Sequence, residues 1–470
     1  MKRFAILLFV VACGGGSGGS GFPGGASGDG GPNFSATFEG GSGGPPPGCV
    51  NLQCQQHDRN THISGVVYDP KGLLPLYDVF VYVPNAPLDA ITTGPVCTPC
   101  QAPASGKPIA TTTTDVSGHF VLDDVPDGDD IPLVLQLGKW RRRLTLPHVQ
   151  IGKNNVFNTK TDPHDTTPEN VMRLPKKNQE GSPDDNVPLI AVTTGAVDYG
   201  ECFLMNTIGI DRSEFDQGGR VRIYDGVGGE TARPYSYGTS SALFDSAATL
   251  SQYDVVFMSC EGATYDRGSG YDNVKQYLDS GGRFFATHYG YNFFANASQC
   301  AAPSTDATCK GSSDFNGVAS WAGNDDSVYY APPYYVDQSF PKGQAFAQWL
   351  GNVQDGTPGQ LDLRDTRGDV DAVTAGKATR WLYTTGPGDG NADTAYSTVY
   401  LTFNTPVAAS PDNQCGRAVF SDVHVAGISD GFCADQDPDY ASNLNALEFL
   451  FFDLNSCVQN DAKPPIEPPH

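Results

Sequence analysis

Between residues 188 and 458, short and almost unbroken apolar runs alternate with stretches whose apolar side chains recur at helical spacing. Val187-Pro-Leu-Ile-Ala-Val192, Arg220-Val-Arg-Ile-Tyr224, Tyr253-Asp-Val-Val-Phe-Met258 and Arg283-Phe-Phe-Ala-Thr287 are the runs. Gly200 to Ile210 and Tyr271-Asp-Asn-Val-Lys-Gln-Tyr-Leu278 read as helices, the second stopped by Gly281-Gly282. A strand that is apolar at nearly every position has no side to give to water, so it belongs in a sheet covered on both faces. Strands separated by helices run parallel. The expected fold class is α/β, doubly wound and mostly parallel.

Ligands of such sheets bind beyond the carboxyl ends of the strands. Four strand ends here carry polar groups: Thr193-Thr194 with Asp198, Ser259-Cys260-Glu261, Thr287-His288, and Asp422 with His424. If the strands lie side by side, Glu261, His288, Asp422 and His424 form an imidazole and carboxylate cluster suited to zinc or a similar divalent cation with a position left for water. Polar caps bonded to loops are the plainer reading, because no HExxH-type spacing is present. Cys260 is a second candidate, as a nucleophile with His288 as its base, against the commoner fate of a buried thiol. Thr194, Asp198 and Tyr289 join the candidate ligand-binding residues at these ends.

A large aromatic-rich insertion, about 295–410, includes Trp321, Tyr329-Tyr330 and Tyr334-Tyr335. Trp321 and Tyr334 are candidate stacking platforms for sugar rings, unless they close a core beneath a long loop. Asp69-Pro-Lys-Gly72, Asp184-Asp185 and Asp325-Asp326 lack the spacing of a calcium loop and read as solvated turns.

Upstream, residues 49–159 change to short alternating strands: His62 to Asp69, Asp78 to Val83, His119 to Leu122 and Ile131 to Leu137. This is the pattern of a small all-β sandwich. The basic run Trp140-Arg141-Arg142-Arg143 is expected on the outward edge of a strand. Residues 160–187 are polar and broken by proline, an interdomain linker, and 459–470 are expected to be a disordered tail. Residues 13–48 are glycine, serine and proline with little to bury, hence a flexible tether. The net charge of -24 excludes nucleic acid and anionic membrane as binding surfaces, since phosphate binding needs clustered cations.

Residues 1–12 read as an export signal: Lys2-Arg3, the apolar Phe4 to Val11, then Val10-Val11-Ala12-Cys13. The pattern resembles the bacterial lipoprotein signal, which implies lipidation of Cys13. Gly14 after it implies an outer-membrane-anchored protein facing the periplasm or the cell surface. An exported chain meets an oxidising compartment, so the other eleven cysteines are expected in disulfides, one left over. Cys97 and Cys100 are expected in a loop framework with Cys49 and Cys54, and Cys300 with Cys309.

Gly65-Val-Val-Tyr-Asp69, Pro75 to Val81, Thr114-Asp-Val-Ser-Gly118-His-Phe120 and Val125-Pro-Asp-Gly128 resemble the carboxypeptidase regulatory-like domain, departing from it in an insertion at roughly 85–108. Tyr253-Asp-Val-Val-Phe, the helix to Leu278, Gly281-Gly-Arg-Phe-Phe-Ala-Thr-His288, Cys415-Gly-Arg-Ala-Val-Phe-Ser-Asp-Val-His424 and Asn443 to Phe452 resemble the ThuA-like family of the class I glutamine-amidotransferase-like superfamily. That resemblance implies a flavodoxin-like sheet. In the amidotransferases a cysteine nucleophile sits on the turn after the fourth strand. Here that register reads Ala286-Thr-His288-Tyr-Gly290, so His288 replaces the nucleophile and acyl-enzyme chemistry there is closed.

With the nucleophile gone and no complete constellation visible, the leading expectation is a non-catalytic, lipid-anchored envelope protein. It would bind a carbohydrate, peptide or envelope protein, with no certain cofactor. A divergent metal-dependent hydrolase or sugar-processing enzyme at the strand-end cluster, and a structural envelope component, are the alternatives.

Overall fold

The computed structural model describes residues 48–97, 100, 102–157, 172–229, 233–295, 314–315, 317–321, 332–385, 397–425, 432–433 and 440–466. Cys13 with its signal, nearly all of the tether, the Cys300–Cys309 pairing, Asp325-Asp326 and Tyr329-Tyr330 lie outside them.

The first strands are β1 (His62–Val66), β2 (Phe80–Pro84), β3 (Pro108–Thr113), β4 (His119–Leu122), β5 (Gly128–Leu137), β6 (Trp140–Val149) and β7 (Asn154–Val156). They make a three-stranded sheet, β4-β1-β7, and a four-stranded one, β3-β2-β5-β6. In β4 exposed and buried residues alternate, as period 2 requires of a strand with one wet face.

The remaining strands are β8 (Ile190–Thr193), β9 (Val221–Tyr224), β10 (Val255–Met258), β11 (Arg283–Thr287), β12 (Ala319–Trp321), β13 (Tyr334–Val336), β14 (Gln360–Leu361), β15 (Val370–Val373), β16 (Thr379–Thr384), β17 (Ser397–Thr405) and β18 (Gly416–Ser421). Helices are α1 (Gly200–Cys202), α2 (Ser240–Phe244), α3 (Ala247–Leu250), α4 (Gly270–Asp279), α5 (Pro341–Val353) and α6 (Ala441–Asn455).

Nine of these strands form one sheet in the order β14-β13-β16-β17-β18-β11-β10-β8-β9. Strands β9, β8, β10, β11 and β18 are parallel neighbours. From β18 onward every pairing is antiparallel. The expected mostly parallel sheet is therefore half antiparallel, because the insertion contributes β13, β14, β16 and β17 as an extension of the same sheet.

The parallel strands bury both faces, and alternate side chains enter two different cores. Ile190, Val192, Val255, Phe257, Phe285 and Val419 join one core; Ala191, Val256, Met258, Phe284, Ala286, Ala418 and Phe420 join the other. Helices α5 and α6 contribute Phe346, Trp349, Leu450 and Phe452 to the first, and α2 to α4 contribute Leu243, Leu250, Val274 and Leu278 to the second.

The sandwich belongs to the first core as well. Tyr77 stacks on Phe449 at 6.1 Å, Trp140 meets Phe452 edge-on at 5.9 Å, and Trp349 Nε1 donates to Pro75 O at 2.7 Å. Helix α6 is accordingly buried nearly all round, its Asn443 and Glu448 included. Residues 43–470 form one unit.

Three expectations change. Cys49 pairs locally with Cys54, but Cys97 reaches Cys415 and Cys100 reaches Cys457, so the loop of the sandwich is stapled to the α/β half. Arg141 points inward: it is 3% exposed and donates to the carbonyls of Asp184 and Asp89. Neighbouring Arg142 and Arg143 stand 3.9 and 3.8 Å from Glu180 and Asp184. The basic run meets acids of the 172–187 segment, which folds back on β6. Finally, the first part of the tail is tied down, with Asp461 Oδ1 accepting from buried Arg417 at 3.0 Å.

Candidate functional site

Asp198 follows β8, Cys260 follows β10, His288 follows β11 and His424 follows β18, and these four strands are consecutive in the sheet. Parallel pairing in register sets their carboxyl ends side by side. Cys260 Sγ lies 3.3 Å from His288 Nδ1, and the rings of His288 and His424 meet edge-on at 5.0 Å. One ligand atom each from Cys260, His288 and His424 falls within 4.8 Å of the others. All three side chains are buried, as is Asp198 beside His424.

Local backbone aims each group. His288 is the first residue past β11 and has φ +39°, in the left-handed region that residues with a Cβ rarely adopt. That conformation turns its imidazole toward Cys260. Gly290 completes the turn, for a Cβ there would stand 2.9 Å from that of Ala286. Asp198 accepts from Val425 N at 2.9 Å and pairs with His424 Nδ1 at 2.8 Å. One carboxylate thereby pins both backbone and ring of the loop after β18. A carboxylate on Nδ1 favours the tautomer whose Nε2 carries the lone pair. That Nε2 is buried and has no hydrogen-bond partner among the described residues.

Burial governs the protonation of the group. It pushes the His288 imidazole well below its ordinary pKa, helped by the nearby His424 and Arg367. Burial also raises the Cys260 thiol, and the charge of Asp198 adds to it, while the amides of Gly262 and Tyr289 pull the other way. Asp422 is pushed well above the carboxylate range by burial and then by Asp369. Its Oδ2 accepts from Asp369 N at 2.9 Å, and Asp369 Oδ2 stands 3.8 Å from His288 Nε2.

The structure thus gathers His288, His424, Cys260 and Asp198 but assigns other work to the rest of the expected set. Glu261 makes a buried ion pair with Arg267 and accepts from Val227 N at 3.0 Å. Asp422 binds the chain at Asp369, and it is Cys260 rather than either carboxylate whose ligand atom falls within 4.8 Å of those of both histidines. Thr194 Oγ1 accepts from Gly226 N at 3.0 Å and braces the loop after β9. Tyr289 lies with its ring 4.0 Å from that of His288.

Trp321 is buried between Phe294 and Phe420, and Tyr334 is fully buried with its hydroxyl 2.6 Å from Thr366 Oγ1. Both close a core under the insertion rather than offering an open platform. Asp369 was not among the sequence candidates. It lies in the insertion with no motif around it, and only the fold brings it to His288.

No protein-family model matches the chain, and no curated protein does. Among solved structures, a Bacteroides uniformis protein carrying a provisional ThuA-like description aligns at 12% identity and TM-score 0.31, over 58% of this chain and 95% of its own. That likeness is too loose to define the fold, which rests on the strand order and registers described above.

Proposed function

We propose that this chain is an exported, envelope-associated protein whose α/β half is a divergent hydrolytic or sugar-processing enzyme. In this reading the sheet is a doubly wound, flavodoxin-like one of ThuA-like kind, and the sandwich is a carboxypeptidase regulatory-like module that braces it. The observation that carries the enzymatic reading is the convergence of Cys260, His288 and His424 from three neighbouring strand ends, within 4.8 Å. No single stretch of sequence displays this cluster, because His424 lies more than 130 positions beyond Cys260 and His288.

Two imidazoles and a thiol gathered in one buried cluster suit work on a polar carbon–oxygen bond, by moving a proton or by activating a water molecule. General acid–base help alone contributes about 10²–10⁴-fold when well placed. The four disulfides among the described residues support export, because such bonds persist in oxidising compartments. Lipidation at Cys13 and an outer-membrane address belong to the same proposal and rest on the signal pattern.

The test is a panel of chromogenic glycosides, esters and amides with wild type, His288→Ala and His424→Ala. Turnover falling at least about 10²-fold in both variants is expected. Turnover indifferent to both would sink the enzymatic reading.

Non-catalytic binding stays in view for one specific reason. A cleft of about 540 Å³ on the antiparallel side is lined by Asp337, Asp371, Lys377, Arg380, Asn404 and Gln414, a size and polarity suited to a small polar ligand. Glycan-array signal without turnover would shift the reading there.

A further inference from the structure

We infer that Cys260, His288 and His424 hold one divalent transition-metal ion of the zinc class, with a fourth coordination position open to water. The inference rests on reading the cluster as the working centre and says what that centre contains.

The spacing fits. Zinc takes thiolate at about 2.3 Å and imidazole nitrogen at about 2.0–2.1 Å in tetrahedral array, so its ligand atoms stand roughly 3.3–3.8 Å from one another. Cys260 Sγ and His288 Nδ1 are 3.3 Å apart, and the full trio falls within 4.8 Å. A small inward movement of the His424 ring closes the set.

His424 supplies an independent pointer. Its Nδ1 is engaged by Asp198 at 2.8 Å, while Nε2, in a side chain 4% exposed, meets no donor among the described residues. Leaving a buried acceptor unmet costs roughly 1–3 kcal/mol, so such an atom calls for a partner. The outer contacts have the form found around metal-bound histidines, where a carboxylate on the far nitrogen orients the ring. Asp198 takes that position for His424. Asp369 Oδ2, 3.8 Å from His288 Nε2, faces the corresponding nitrogen of the other ring.

Cysteine usage agrees. Eight described cysteines are in disulfides and Cys260 is the free one among the described residues. In a chain that oxidises its other described thiols, the one retained lies within 4.8 Å of a ligand nitrogen of each of two histidines. One sulfur and two imidazole nitrogens favour zinc-class ions over calcium or magnesium, which take oxygen. Three protein ligands rather than four leave room for water, as catalytic sites do. A bare Cys260–His288 nucleophile pair would leave His424 Nε2 unexplained.

The test uses the full chain with its disulfides intact, stripped by chelator and titrated with zinc(II) and cobalt(II). Expected are one ion per chain, visible bands of tetrahedral cobalt, and the near-ultraviolet charge-transfer band of a cobalt–thiolate bond. Cys260→Ser should abolish that band. Asp198→Asn should weaken binding about 10–100-fold, as loss of an outer-shell carboxylate does. Both substitutions are nearly isosteric, and circular dichroism checks that the variants are folded. Zinc should raise the melting temperature of wild type and lose that effect in His424→Ala. Absence of stoichiometric binding, or binding unchanged in Cys260→Ser and His424→Ala, overturns the inference. Metal without turnover upholds it and removes the hydrolase reading, whereas turnover by a protein that binds no stoichiometric metal overturns it and leaves that reading standing.

Discussion

Asp78 shows how far one residue can tie stability to pH. Burial pushes its carboxyl up to about 6, against the pull of Lys342 and with the charge of Asp453 adding to the rise. An acid held protonated in the fold gives up its proton more readily in the unfolded chain. Near pH 4 and below, both states are protonated and the group is neutral in its effect. As pH climbs from about 4 to about 6 the unfolded chain releases its proton first, so stability falls through that window and then levels. Asp78→Asn should flatten the dependence between pH 4 and 6 in thermal melts. Asparagine also tolerates the positive φ of 61° at this position. An unchanged slope would show that other carboxyls set it. At this same scale the sequence yielded His288, His424, Cys260 and Asp198 as polar groups at strand ends. It was silent on Asp369, because a lone aspartate in an insertion carries no local mark of where its loop will land.

At the scale of elements, burial pattern was legible and register was not. Runs such as Val255-Val-Phe-Met258 announce two-sided burial, since no face remains for water. Nothing in them says which strand lies next. The start of β18 shows how tightly that is settled: a Cβ on Gly416 would lie 1.9 Å from the carbonyl oxygen of Leu278, at the end of α4. Gly416→Ala must push the strand off the helix, and a loss of more than about 2 kcal/mol in denaturant unfolding is expected. A neutral substitution would mean that this contact relaxes freely. The basic run at Arg141 makes the complementary point. Read alone it belongs in water, yet the acids at Glu180, Asp184 and Asp185 fold back to meet it, and ion pairs between distant segments leave no periodic trace.

For the whole molecule, the disulfides decide how the sandwich and the α/β half hold together. Cys97–Cys415 and Cys100–Cys457 span 318 and 357 residues, so each removes much freedom from the unfolded chain. The double variant Cys100→Ser, Cys457→Ser should lose about 2–4 kcal/mol in equilibrium unfolding. Increased protease sensitivity at the 85–108 loop would accompany it. If stability is unchanged, the shared apolar core around Phe449 and Phe452 already does the tethering.

The sequence by itself determined that this chain has an all-β part followed by an α/β part, and which strand ends carry reactive groups. Those properties follow from the period of apolar side chains along a few residues. Only the tertiary structure decided that the sheet is half antiparallel, that Cys97 and Cys100 reach across to the other half, and that Cys260 rather than Glu261 or Asp422 clusters with the two histidines. Each depends on strand order and on contacts between residues hundreds of positions apart, where local pattern exerts no force.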